Sequence, residues 1–227
     1  IGYAMQSTDV LCPYYRDQGA MTQRGVSMTE IFQYWGGFEQ GSCYANNQHD
    51  LPICVPIATQ CLHAAGVAYA MHYRQQQNAV VTTCGEGATS KGDFYEALNA
   101  AGVWQLPVVF VINNNQWAIS VPRKIQTHSA SIAQKAVAAG IEYEQIDGFD
   151  VITVETHVAA ALEKARSGNG PTVIEAISYR LCDHTTADDA TRYQPAEEVK
   201  QQWKKEPIAR LAYYLEAQGL WSKEQEK

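Results

Sequence analysis

The chain has 227 residues, 46% of them hydrophobic and 18% charged, the composition of an ordinary folded domain that can bury a sizeable core. Its 24 acidic residues against 17 basic ones give a formal net charge of −7, which excludes general affinity for nucleic acid or an anionic membrane, because both need basic patches. The longest apolar stretches, such as Leu106–Ile112, are strand-sized and fall well short of the roughly 20 residues that cross a bilayer.

Ile1–Met5 carries no charged n-region or small-residue cleavage site, so no secretory leader is expected. The first residue is not Met and the charged run Ser222–Lys227 stops abruptly, which predicts a chain truncated at both ends. Six cysteines without a CxxC pair fit neither a zinc site nor a redox motif and predict reduced, mostly buried thiols in a cytoplasmic protein.

Pro13–Gly19 reads as a polar turn, followed by a helix with Ser27 as N-cap that runs through Phe32 and Trp35 and ends at Gly36 and Gly37. Glu39–Asp50 lacks any period and predicts an irregular loop, and Ala58–Tyr73 predicts a closely packed helix of small residues. The next unit is strand Ala79–Cys84, glycine-rich turn Gly85–Ser90, helix Lys91–Gln105 and strand Leu106–Ile112. In that helix Phe94, Ala97, Leu98, Ala101 and Trp104 share one face. A second unit comprises helix Ile132–Gly140, a strand near Tyr143–Ile146, helix Val158–Ser167 and strand Thr172–Ile177. Near-continuous apolar strands alternating with helices predict an α/β fold: one domain over 1–227 with an open, mostly parallel sheet and helices on both faces. Leu181–Tyr193 is polar and aperiodic, and Pro195–Gly219 reads as a helix with Trp203, Ile208, Leu211 and Leu215 on one side.

In such sheets ligands bind beyond the carboxyl ends of the strands. Glu86 follows one predicted strand within Gly85-Glu86-Gly87, and Asn113-Asn114-Asn115 follows the next, so a carboxylate and a carboxamide are placed side by side. These are hard oxygen donors suited to magnesium, while Gly85 and Gly87 allow backbone N–H groups close to phosphate oxygens with a helix N-terminus just behind. A dinucleotide fingerprint would need glycine where Ser90 stands, and no P-loop Gly-Lys-Ser/Thr is present. On the residues alone, GEG is equally an ordinary strand-to-helix turn, the asparagine run a plain turn, and His184 an exposed loop residue.

The stretch GEGATSKGDFYEALNAAGVWQLPVVFVINNNQWAIS resembles the thiamine-diphosphate motif, which opens with GDG or GEG and closes with paired asparagines. It is most similar to the α subunits of the decarboxylating component of 2-oxo acid dehydrogenase complexes. Tyr15-Arg16-Asp17, Pro56–Gln60, Ala133–Ile141, Asp147-Gly148 and His184–Tyr193 extend the resemblance over nearly the whole chain. It implies thiamine diphosphate and Mg as cofactors. Glu86, the Asn115 side chain and the Trp117 carbonyl would ligate the metal; Gly85, Gly87 and Ala88 would offer backbone groups to the diphosphate, joined by Tyr15, Arg16 and Arg180. Ile57 matches the residue whose backbone meets the aminopyrimidine, and Pro56, Thr59 and Gln60 match a potassium site of some relatives. His184 would sit over the cofactor as the catalytic histidine, assisting acyl transfer to lipoamide, with Thr185 at a position that some relatives phosphorylate.

The implied reaction is oxidative decarboxylation of a 2-oxo acid, pyruvate above branched-chain substrates or acetoin. The implied partners are a β subunit, in an α2β2 heterotetramer that completes the site, and the lipoyl domain of the dihydrolipoamide acyltransferase. A non-catalytic α/β binding module is the alternative of another class.

Overall fold

The computed structural model describes residues 1–47, 49–222 and 224–225. Along the chain it forms β1 (Val10–Cys12), α1 (Gln18–Gln23), α2 (Met28–Trp35), α3 (Thr59–Tyr73), β2 (Val80–Gly85), α4 (Gly92–Val103) and β3 (Val108–Asn114). These are followed by β4 (Trp117–Ala118), β5 (Val121–Pro122), α5 (Arg123–Gln126), β6 (Glu142–Asp147), α6 (Val151–Arg166), β7 (Thr172–Ile177), α7 (Ala196–Trp203) and α8 (Pro207–Ala217). Five strands make one sheet in the order β1-β2-β3-β7-β6, every pairing parallel. The two-residue strands β4 and β5 form a small antiparallel hairpin.

Strand side chains alternate between faces, so the apolar central strands feed two cores. On one face Val80, Val108, Phe110 and Ile112 pack with Cys61, Ala64 and Ala68 of α3 and Phe94, Leu98 and Ala101 of α4. On the other, Leu11, Val81, Val109, Val111 and Ile174 pack with Met21, Val26, Ile31 and with Val158, Leu162 and Ala165 of α6. A covered, parallel α/β sheet is thus what the sequence predicts and what forms. Among the described residues no helix is long and apolar enough to cross a membrane.

Several local readings need correction. Within the predicted polar turn, α1 begins at Gln18, and the three-residue β1 before it is too short to show a period. Ser27 does cap α2, in a capping box with Glu30, but the loop that follows contains a 3-10 turn at Glu39–Ser42. Ala133–Ala139 is a 3-10 helix rather than an α-helix, stopped by Gly140 at φ +66°. The helix expected from Val158 begins at Val151: Asp150 accepts from the N–H groups of Ile152 and Thr153, and the β-branched run after it hid the first turns. The single C-terminal helix is two, because Pro207 cannot continue a helix and instead opens α8 with Glu206 as its cap. Trp104 leaves the buried α4 face, half-exposed beside Tyr69. Of the cysteines, all free, Cys12, Cys61 and Cys84 are buried, whereas the loop residues Cys43 and Cys182 are exposed.

Candidate active site

The carboxyl ends of β1, β2 and β3 open into a cavity of about 270 Å³. Its wall includes Tyr15, Arg16, Ile57, Gly85, Glu86, Gly87, Ala88, Asn115, Trp117 and His184, so ten of the residues singled out in the sequence meet at one place. Arg180 does not line it.

Glu86 opens the 3-10 turn Glu86–Ser90 that follows β2, and its side chain is almost fully buried. One carboxylate oxygen accepts from the Asn115 N–H at 3.2 Å; the other, Oε1, is buried without a partner. Burial pushes this carboxyl above its ordinary pKa, against its own backbone N–H, that of Asn115 and the charge of Arg180, which pull it down. A desolvated carboxylate with a free oxygen is poised for a cation. The Glu86 carbonyl accepts from Gln126 Nε2 at 2.9 Å, so α5 holds the turn from behind. The helix N-terminus expected directly behind the glycines is displaced by this 3-10 turn, and α4 starts only at Gly92.

Gly87 is required by close approach: a Cβ there would stand 2.8 Å from Ala118 Cβ in the β4–β5 hairpin. At Gly85 a Cβ would meet no protein atom within 4 Å.

Beyond β3 the backbone turns sharply. Gln116 and Ile119 adopt φ +72° and +54°, and Ala58 on the facing wall adopts φ +64°, three of the five left-handed non-glycine residues among those described. For β-branched Ile119 this is genuine strain, and both it and Ala58 line the cavity, while Gln116 lies between the lining residues Asn115 and Trp117. Asn115 Oδ1 accepts from the Trp117 N–H at 3.1 Å and keeps its second lone pair. Among the described residues no group of three or more His, Cys, Asp or Glu side chains is placed for a metal, so a cation here would rest on the Glu86 carboxylate with amide and carbonyl oxygens.

Two further buried polar atoms of the lining lack partners, Gln60 Oε1 and Trp117 Nε1. Gln60 is held by donating its Nε2 to the Thr83 carbonyl at 2.8 Å. Of the residues matched to a potassium site, Gln60 alone reaches the wall; Pro56 and Thr59 do not.

Tyr15 and Arg16 sit in the turn after β1. Asp17 closes that turn by accepting from the Tyr14 N–H at 3.1 Å and pins it to β2 through the Thr83 hydroxyl. Desolvation pushes the Asp17 carboxyl up to about 7, opposed by those two hydrogen bonds. Arg16 donates to the His184 carbonyl and lies 3.2 Å from His184 Nδ1. Arg cannot accept, so Nδ1 is the acceptor and the imidazole proton is on Nε2. Burial first, and the charges of Arg16 and Arg180 next, hold His184 below its ordinary pKa and therefore neutral at neutral pH, despite the opposing pull of Asp188.

Arg180 anchors the histidine loop instead of facing the cavity. Its Nε donates to the Cys182 carbonyl at 3.0 Å, Nη2 to the Tyr193 hydroxyl at 2.6 Å, and Nη1 lies 3.4 Å from the Trp117 carbonyl. Asp188 accepts from the His184 N–H at 2.8 Å and from Tyr193, closing the loop on itself. Sequence reasoning missed Tyr14, Cys54, Val55, Ala58, Cys84, Ala118 and Ile119 of the lining, most of them ordinary apolar or small residues without chemistry to signal them.

A family model described as "Dehydrogenase E1 component" matches residues 1–227. The chain is 44% identical, over 98% of its length, to a 3-methyl-2-oxobutanoate dehydrogenase subunit alpha of Mycobacterium tuberculosis, of which it spans 61%. It is 41% identical, over 99% of its length, to a pyruvate dehydrogenase E1 component subunit alpha of Acholeplasma laidlawii, of which it spans 65%. In fold it resembles a solved structure from Mycobacterium smegmatis described as a thiamin diphosphate-dependent enzyme, with a TM-score of 0.53 and 17% identity over 79% of this chain and 30% of that one.

Proposed function

The chain belongs to the dehydrogenase E1 component family, and from that premise we propose that it acts as the α subunit, or the larger part of one, of a thiamine-diphosphate-dependent 2-oxo acid decarboxylase that delivers its acyl group to lipoamide. The observation that carries this reading is the strand-end cavity in which Glu86 Oε1 is buried, unpaired and desolvated. A magnesium ion suits that oxygen, with the Asn115 carboxamide and the Trp117 carbonyl as neutral partners. Thiamine diphosphate, when bound, supplies the nucleophilic carbanion and the electron sink for decarboxylation.

The chain's own residues do the rest. Backbone N–H groups of Gly87 and Ala88, with Tyr15 and Arg16 across the cavity, present donors to a diphosphate. Arg180 adds positive charge from behind the Trp117 carbonyl. Ile57 lines the same space. His184, neutral and protonated on Nε2, offers a hydrogen-bond donor at the rim, suited to an oxygen on which negative charge develops.

Pyruvate is the substrate we favour, on Ala133–Ile141 and Lys124–Thr127, which resemble pyruvate-type chains. A branched-chain 2-oxo acid is the second reading, supported by the 44% identity to a 3-methyl-2-oxobutanoate dehydrogenase subunit and by the apolar wall of Val55 and Ile119. A β subunit completes the site and a lipoyl domain receives the product in this scheme, in the cytoplasm.

The deciding experiment titrates thiamine diphosphate and magnesium into this chain with its β subunit, then compares decarboxylation of pyruvate with that of branched 2-oxo acids. We expect metal-dependent binding and faster turnover of pyruvate; a reversed preference selects the second reading, and no binding or decarboxylation would leave a non-catalytic module. His184→Asn in the same assembly is expected to keep cofactor binding and to lose more lipoamide-linked activity than decarboxylation with an artificial electron acceptor. Equal losses in the two assays would reduce the histidine to a loop support.

A further inference from the structure

Behind the cavity, on the side its lining does not reach, Glu175 lies in the middle of β7 with no exposed surface. Its Oε1 accepts from Asn114 Nδ2 at 2.6 Å, and its Oε2 accepts from Gln145 Nε2 and the Ala133 N–H, each at 3.0 Å. Three N–H groups converge on one buried carboxylate, which borders a second cavity together with Asn114, Gln116 and Gln145. Nothing in the proposed chemistry uses this group.

The consequence lies in the polarity of Asn114, the buried middle member of the asparagine run. Because a carboxylate only accepts, Asn114 must turn its NH₂ towards Glu175 and its carbonyl oxygen the other way. That oxygen accepts from the Gln116 backbone N–H at 3.2 Å and from Gln116 Nε2 at 3.0 Å. Gln116 is the residue held at φ +72°, and the residues on either side of it are Asn115 and Trp117, both in the cavity wall. A strained residue persists only where its surroundings fix it.

We propose that Glu175 is a positioning residue for the metal-binding turn: by setting the polarity of the Asn114 amide it locks Gln116 in its left-handed conformation, and so presents the Asn115 side chain and the Trp117 carbonyl to the cation. The metal part of this inference rests on the cofactor reading of the cavity; the conformational part does not.

Glu175→Gln is nearly isosteric yet cannot satisfy all three donors. If its NH₂ faces Asn114, the asparagine must flip and oppose its own NH₂ to the Gln116 N–H; if its NH₂ faces Ala133, two donors meet there instead. Adding Asn114→Asp resolves the conflict. The new amide at position 175 then donates to the new carboxylate at position 114 and accepts from Ala133 and Gln145. The second oxygen of that carboxylate accepts from Gln116, and the total charge is unchanged.

The test titrates magnesium chloride, with thiamine diphosphate in excess, into the form of the protein that binds the pair, alone or with its β subunit, read by calorimetry. Hydrogen exchange of the backbone amides of 115–118 is followed in the absence of cofactor. We expect Glu175→Gln to weaken magnesium binding about tenfold and to speed exchange at Gln116, and the double variant to recover affinity to within about threefold of the parent, as a mispaired buried donor predicts. A single variant too unstable to purify beside a well-folded double supports the same conclusion. Unchanged binding and exchange in the single variant, a double variant no better than the single, or failure of both to fold would overturn the proposal. Glu86→Ala serves as the reference: if it binds magnesium as tightly as the parent, the cofactor reading of the cavity fails, and exchange at Gln116 alone then judges the conformational part.

Discussion

A carboxylate buried with one oxygen unpaired, as Glu86 is, destabilises the protein that carries it, a cost that the proposed cation would offset. Glu86→Ala should therefore abolish magnesium-dependent binding of thiamine diphosphate while the melting temperature without ligands stays level or rises. Calorimetry and a thermal melt measure the two halves, and unchanged cofactor affinity would remove Glu86 from the metal site. Asp17 makes a second prediction, on pH. Its carboxyl, pushed up to about 7 from an ordinary 3.8, binds a proton more tightly in the folded chain than in the unfolded one. Its stabilising contribution is thus complete below the lower value and is lost as pH rises through the upper one. Asp17→Asn should flatten the fall in melting temperature between pH 4 and pH 7.5, a window taken from those two values. The variant keeps an acceptor for the Thr83 hydroxyl, so a slope identical to that of the parent would assign the titration to another group.

Elements place these residues with little slack. The Glu86 turn, the β4–β5 hairpin and α5 lean on one another through Gly87 against Ala118 and through Gln126 on the Glu86 carbonyl. Gly87→Ala would put a methyl group 2.8 Å from Ala118 Cβ, so the hairpin must shift and carry Trp117 with it. Overpacking of this kind costs about 1–3 kcal/mol. We expect that loss in chemical denaturation, accompanied by weaker metal binding, whereas Gly85→Ala, with no protein atom near its Cβ, should cost stability little and act on ligand binding alone. Equal destabilisation by both substitutions would contradict this account. The histidine loop is organised in the same way, by Arg180, Asp188 and Tyr193 from within and by Arg16 from the turn after β1.

At the scale of the whole molecule, α7 and α8 bury no residue completely, and Trp203, Ile208, Tyr213 and Leu220 are exposed, as are Phe32, Trp35 and Phe38 around α2. Apolar area of this extent predicts self-association of the isolated polypeptide at micromolar concentration, relieved by the proposed β subunit. Analytical ultracentrifugation tests this, and a monodisperse monomer would show that these side chains need no cover. The sequence by itself determined the parallel sheet, because the central strands β2 and β3 are covered on both faces and so read as near-continuous apolar runs, and its resemblance to a known motif and to the block around His184 brought Glu86, Asn115 and His184 to one neighbourhood. It could not show β1 or α1, whose three and six residues are too short for a period to emerge, nor the helix start hidden in the β-branched run after Asp150. Only the tertiary structure decided that Arg180 braces the loop, that Asp17 and Thr83 hold the arginine turn, and that Glu175 sets the polarity of Asn114. Each of these depends on hydrogen bonds between residues far apart in the chain, and a donor or acceptor in a sequence carries no mark of the partner that folding will bring to it.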